Sequence, residues 1–258
     1  MRVLRISQSA DRIDVREGFL PYRDARDKGP ADAIPARAFW LTHLPPAATL
    51  DPVALGCHLM VILSGEVSVV AQHAGPVRLG PGDVVCADVR SVLALTYAWQ
   101  GDAWLFLVLT PGWLPEPGDN QARSDTTVRA GRPLLTWIHD DNGISRSEPF
   151  RWPGALAPVP PTGQWPRSKG AFVTRHDYGD GVYAPGVWHN GPRPQLGVTL
   201  NGCAENETGD GTITRPVAGD MAFIDDDTGG GHVTRGQGDR WMLFVTVAPG
   251  HLELAAES

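Results

Sequence analysis

The chain has 258 residues, of which 30 are Gly and 23 are Pro, about a fifth of the sequence in the two strongest structure breakers. Long helices, coiled coils and helical bundles are excluded on that count, because Gly and Pro cost most in helix interiors. Lys and Arg number 22 against 29 Asp and Glu, a net of −7, with no basic stripe of the kind that displaces counterions, which excludes a nucleic-acid partner.

In chain order, MRVLRISQSADRIDV lacks the apolar core of a signal peptide, and REGFLPYRDARDKG reads as at most a short helix, so residues 1–37 are expected to form an N-terminal arm. From 38 to 118 come AFWLTHL, HLMVILS, EVSVVAQ, PVRL, VVCAD, VLALTYAW and WLFLVLT, short β-branched or aromatic runs between turn residues. Residues 119–168 read as a connector. The polar LPEPGDNQARSDTTVRAGRP (114–133) leads into it, and it closes on the Pro-rich WPGALAPVPPTGQWP (152–166), expected to wrap a barrel. From 169 to 258 the plan returns as FVTRHDY, GVTLNG, GTITRPVA, MAFID and RWMLFVTV, with Asp210-Gly211 predicting a type I′ hairpin turn. No apolar run approaches the roughly 20 residues of a membrane-spanning helix. Three scattered cysteines, Cys57, Cys86 and Cys203, suggest neither a disulfide frame nor a zinc ribbon, and a reducing cytoplasm is expected.

The chain repeats itself. HLMVILSG (58–65) matches QLGVTLNG (195–202), PGD (81–83) matches AGD (218–220), and QGDAW (100–104) matches QGDRW (237–241), all at an offset of 137. Three landmarks at one spacing indicate a tandem duplication, each unit a strand-rich domain.

A strand ending in Gly, an xGD turn seventeen residues on, and a final apolar strand resemble the cupin family. The resemblance covers about 40–118 and 170–250. It implies an all-β chain of two tandem jelly-roll barrels, a bicupin, with few short helices. The family's site has His-x-His and then Glu on one strand, with a further His from a later strand. Here WHNGPRPQLGVTLNG places His189 in the first-His slot, Gly191 in the second-His slot and Gln195 in the Glu slot, while His232 in DDDTGGGHVTR matches the later His. His189 and Gln195, six residues apart, are expected on one strand face. The resemblance thus implies a metal site of His189, Gln195 and His232 holding Fe, Zn, Ni or Mn, without a carboxylate ligand and without a nucleotide cofactor. Arg193 has the same parity and would orient an anionic group. The catalytic set implied is His189, His232 and Arg193.

At the same offset the first unit carries Pro52, His58 and Leu95 in those slots, so its metal set is lost. It resembles the sensory cupin of AraC-type regulators, without a helix-turn-helix segment, and reads as a structural or dimerising barrel. His58 and His73 read as ordinary residues, and His139, His176 and His251 carry no motif. Gly229-Gly230-Gly231 predicts positive φ or a close backbone approach before His232. Asp225-Asp226-Asp227 reads as a solvated loop end, with Asp225 the candidate for a general base or a partner to His232. Trp188, Tyr183 and Trp241 are expected as barrel walls. Asn206-Glu207-Thr208 matches a glycosylation sequon of little weight without a signal peptide.

The function implied is a bicupin enzyme acting on a small, anionic metabolite in the second barrel. Iron would make it a dioxygenase; Zn, Ni or Mn would suit isomerase, cyclase or lyase chemistry. A homodimer is expected. The alternative is a non-catalytic small-ligand-binding or sensing protein, favoured by the missing second His and disfavoured by the lack of an output domain.

Overall fold

A computed structural model describes residues 1–9, 12–24, 34–46, 48–72, 74–118, 127–152, 159–178, 186–249, 252 and 255–256. The first half holds β1 (Val3–Ser9), β2 (Arg12–Phe19), β3 (Tyr22–Asp24), β4 (Ala38–Leu44), a single-turn helix α1 (Pro52–Leu55), β5 (His58–Ala71), β6 (Val77–Leu79), β7 (Val84–Ala87), β8 (Leu95–Leu109) and β9 (Glu116–Pro117). The second holds β10 (Leu135–Asp141), β11 (Ile144–Arg151), β12 (Ser168–Asp177), β13 (Gln195–Thr208), β14 (Ile213–Thr214), β15 (Met221–Asp225), β16 (His232–Val247) and β17 (Ala255–Ala256). No helix among the described residues is long and apolar enough to cross a membrane.

The strands form two sheets, one per half, in the orders β4-β8-β5-β7-β1-β2-β9 and β17-β11-β10-β15-β13-β16-β12-β3, with β6 and β14 against β5 and β13. The duplication extends to register. His58 faces Leu109 and Ala71 faces Leu95 in the first sheet, as Gln195 faces Thr246 and Thr208 faces His232 in the second. Even the irregularities coincide, at Ile62/Ser64/Glu66 and Thr199/Asn201/Cys203. Gly65 and Gly202 occupy these bulges with φ of 80° and 78°, where a Cβ would collide with the Asp102 carbonyl and crowd that of Asp239. A bulge of this kind bends its strand and increases the local twist. The near halves of β5 and β13 are buried on both faces, whereas their far halves alternate.

Two expectations need correction. Val3–Ser9 and Arg12–Phe19, assigned to an arm, pair antiparallel as β1 and β2 and join the first sheet through β7, with Val3 opposite Val84. Residues 135–151, assigned to a connector, form the β10–β11 hairpin, which joins the second through β15 with Leu135 opposite Met221. These strand pairs are a further repeated part at an offset of 132. The change from 132 to 137 arises because the stretch from His176 to Gln195 is five residues longer than that from Leu44 to His58. His189 lies within that longer stretch. The type I′ turn is at Asn142-Gly143, with φ of 56° and 88°; at Asp210-Gly211 only Gly211 has positive φ, and the Asp210 carboxylate accepts from the Thr212 amide at 3.0 Å.

The halves exchange segments in both directions. β3 pairs in parallel with β12 of the second sheet, and the Ala171 amide donates to Ile34 O at 3.0 Å. Conversely, the Phe39 amide donates to Pro166 O at 3.1 Å, and Trp152 and Trp165 pack on Phe39 and Trp40 with ring centroids 5.9 to 6.4 Å apart. The ends of the Pro-rich stretch therefore lie on the first barrel; its interior, 153–158, is outside the described residues. Gly82 and Gly219, both at positive φ, each abut the other half: a Cβ would collide with the Leu200 carbonyl in one case and the Leu63 carbonyl in the other.

Candidate functional site

The same register that makes the barrels alike explains why one is filled and the other hollow. Met60, Ile62, Val85, Leu95 and Tyr97 of the first barrel, all buried, stand where the second has Gly197, Thr199, Ala222, His232 and Thr234. His58 completes the filling. The Gly56 carbonyl can only accept, so His58 Nδ1–H donates to it at 2.6 Å and Nε2 accepts from the Tyr97 hydroxyl at 2.7 Å. Desolvation pulls the His58 pKa down to about 4, so the imidazole is neutral. In the second barrel the smaller side chains leave a cavity of about 180 Å³, lined among others by His189, Gln195, Asn206, His232, Thr234 and Arg240.

His232 opens β16 and is 4 % exposed, with Nδ1 2.7 Å from Oδ2 of the fully buried Asp226. A carboxylate there accepts, which fixes the tautomer with the proton on Nδ1 and turns the Nε2 lone pair to the cavity. The Gly191 amide donates to Asp226 Oδ1 at 3.2 Å, and Asn190 Nδ2 donates to Thr228 O at 2.6 Å, tying down the loop beyond β15. The glycine in the second-His slot now has a reason. A Cβ at 191 would sit 2.9 Å from the Ile224 side chain and 3.0 Å from Asp226 Oδ1, so this position makes room for the carboxylate.

His189 is not on the strand that carries Gln195. β13 begins at Gln195, and prolines at 192 and 194 interrupt the backbone before it. His189 is placed instead by a two-way backbone bridge to His232, each amide donating to the other's carbonyl at 2.9 Å. This approach needs Gly231, whose φ is 66° and whose Cβ would collide with the His189 carbonyl. The exposed His189 ring donates from Nδ1 to Val187 O at 2.9 Å and lies 4.6 Å from the His232 ring, centroid to centroid. Gln195, 5 % exposed, has no hydrogen-bond partner at Oε1.

The three side chains fit a divalent ion. Both imidazoles spend Nδ1 on an internal acceptor and keep Nε2, and Gln195 adds an orphaned buried oxygen to the same cavity. Asp226 acts through His232. Among the described residues no group of three or more His, Cys, Asp or Glu is arranged to hold a metal, so the set depends on the amide.

Other expectations resolve differently. Arg193 stacks over the Phe172 ring at 5.6 Å and is not among the residues lining the cavity. The partner of His232 is Asp226, not Asp225, and the triplet is not a solvated loop end, because Asp226 is completely buried. Asp225 points elsewhere; burial first, then the Asp227 charge, raises its carboxyl pKa. Trp188 is 47 % exposed rather than a barrel wall. Trp241 is buried, but against Tyr22 of the exchanged segment, with ring centroids 4.6 Å apart. Asn206 accepts from the Thr234 hydroxyl inside the barrel, which removes it as a glycan acceptor. Tyr183, His73 and His251 lie outside the described residues.

Sequence reasoning missed Arg240. It lies on β16 with its side chain in the cavity and is 4 % exposed. The signal was present: in the matched landmarks QGDAW and QGDRW, Arg240 stands where the first unit has Ala103.

With this geometry in view, comparison with known proteins adds fold likeness. No family model and no curated protein matches the chain. Among solved structures it is similar to a cupin 2 conserved barrel domain protein from Leptotrichia buccalis, at 12 % identity over 83 % of this chain and 85 % of that one, with a TM-score of 0.39. A protein of unknown function of the DUF861 family from Pseudomonas syringae is 13 % identical over 95 % and 99 %, with a TM-score of 0.36. The Ylba protein of E. coli, also DUF861, is 12 % identical over 92 % and 96 %, with a TM-score of 0.32. Each resembles this chain in fold; none lends it a function.

Proposed function

We propose that this bicupin-like chain is a small-molecule enzyme whose second barrel holds a divalent transition metal (Fe, Zn, Ni or Mn) on His189, Gln195 and His232 and acts on a small, anionic metabolite. The observation that carries the reading is the Asp226–His232 pair: a buried imidazole held by a buried carboxylate, its second nitrogen facing a cavity. Such a partner fixes ring orientation and raises ligand basicity. A bound ion would supply Lewis-acid polarisation, or with iron the redox chemistry of an oxygenase. The chain's own residues orient and enclose. Asp226 aims His232, the Gly231 approach sets His189 beside it, Gln195 offers a neutral oxygen, and the barrel wall restricts water.

A second reading, metal-free ligand binding or acid–base work with His232 Nε2 taking the proton, is favoured by one observation: the buried Arg240 guanidinium in the same cavity, which opposes a cation. Metal analysis of untagged protein, with zinc titration of the stripped protein, separates the two. Stoichiometric metal lost in His189→Ala, Gln195→Ala and His232→Ala supports the first reading. Wild type that neither carries nor takes up metal leaves the second.

A further inference from the structure

Among the described residues no carboxylate pairs with the buried Arg240 guanidinium. Its neighbours along the inner face of β16 are Met242 and Phe244, and its Nε has no hydrogen-bond partner. Its guanidinium is bonded, among the described residues, to the Tyr178 hydroxyl. That oxygen accepts from Arg240 and lies 3.1 Å from His176 Nδ1, so the group bonded to the guanidinium is a phenol hydroxyl and not a carboxylate. Two carboxylates among the described residues lie near the cavity, and both are occupied. Asp220 accepts from Arg129 at 2.9 Å and from the Leu134 and Val217 amides at 2.7 and 2.9 Å. Asp226 is bound to His232. Burial disfavours the Arg240 charge, yet a guanidinium remains protonated in proteins. A buried cation left uncompensated by its own chain is costly, and one that faces an open cavity is compensated by what enters it.

We propose that Arg240 anchors the carboxylate of a small organic acid bound inside the second barrel, with the rest of the molecule directed toward Gln195 and His232. This rests on the reading of that barrel as the working site and names its substrate class. The planar fork of a guanidinium matches a carboxylate with two parallel hydrogen bonds. The volume sets the scale: about 180 Å³ is room for about six water molecules, enough for a short-chain or single-ring acid and too little for a nucleotide. The anchor assigned from sequence, Arg193, is replaced in this role.

The test uses chelator-stripped protein, so that no bound ion can capture the acid. Pyruvate, malonate, succinate and benzoate are titrated calorimetrically beside inorganic phosphate and benzamide, the neutral counterpart of benzoate. At least one acid is expected to bind wild type and Arg193→Gln alike, and to bind Arg240→Gln and Arg240→Met at least about tenfold more weakly, with benzamide silent. The proposal is overturned if no acid binds at millimolar concentration, if benzamide matches benzoate, if phosphate alone binds, or if the Arg240 variants bind as wild type does. Folding is checked separately. Replacing an uncompensated buried charge by Met should leave the ligand-free melting temperature unchanged or raised; a fall in both variants would make Arg240 structural and also overturn the proposal. Zinc titration of Arg240→Gln keeps the two readings apart, because an unaltered metal site with lost acid binding, or the reverse, assigns success and failure independently.

Discussion

His58 offers the sharpest quantitative test, because its environment is closed and its hydrogen bonds fix its charge. In the unfolded chain its imidazole titrates near 6.5, and in the fold near 4. Between these values the unfolded state binds a proton that the native state refuses, so stability must rise with pH across this window and fall as the solution is acidified. The neutral-state advantage is complete above about pH 6.5, costs about 2 kcal/mol by pH 5, and approaches about 3 kcal/mol near pH 4. His58→Gln removes the titration while retaining an acceptor for the Tyr97 hydroxyl, and it copies the residue that the second unit carries at this position. Urea unfolding of both proteins at pH 7.5, 6, 5 and 4.5 gives the stability difference as a function of pH, with all other titrating groups cancelling. The wild type is expected to lose about 2 kcal/mol more than the variant between pH 7.5 and 5. Parallel curves would mean that His58 is not buried neutral, and the account of the filled first barrel would fail with it.

Two further outcomes follow from the second barrel. Asp226→Asn should lower zinc affinity about 10- to 100-fold in calorimetric titration, the usual cost of losing a carboxylate behind a ligating imidazole, while the far-ultraviolet spectrum stays that of wild type; unchanged affinity would remove the role assigned to the pair. Gly231→Ala forces a side chain into left-handed backbone against the His189 carbonyl. A loss of about 1–2 kcal/mol or more in urea unfolding is expected, and metal uptake should fall with it, because His189 is placed only through that approach.

How much of this was legible depended on where chemistry forces a residue. The landmark glycines are readable because bulges and turns at positive φ tolerate little else, so Gly65 with Gly202 and Gly82 with Gly219 survive a divergence that blurred most other positions. The paired strands β1–β2 and β10–β11 contain no such match, and the insertion before Gln195 shifts their offset, so they passed as arm and connector. His189, Gln195 and His232 line one cavity, but His189 reaches it by a route the slots did not give. A parity rule holds only along an unbroken strand, and Pro192 and Pro194 break it. The same failure of parity explains Asp226, which follows the end of β15, where the chain turns and the next residue, not Asp225, faces inward. Arg240 was hidden for another reason: a landmark was read for what its two copies share, while the function-bearing residue was the one at which they differ.

The glycines that brace one half against the other have a consequence for the whole assembly. Gly82 approaches Leu200 and Ala218, while Gly219 approaches Leu63 and Pro81. These are equivalent residues contacting one another reciprocally, the signature of an isologous interface. The chain is built like a two-fold homodimer whose protomers have been joined end to end. Such a joint relieves each protomer of identity with its mate. The half that lost its cavity still supplies one side of the interface and the Phe39–Trp40 seat for Trp152, so selection can abandon its pocket without releasing its surface. A true dimer must carry two copies of every site it keeps; this one carries a site and a buttress.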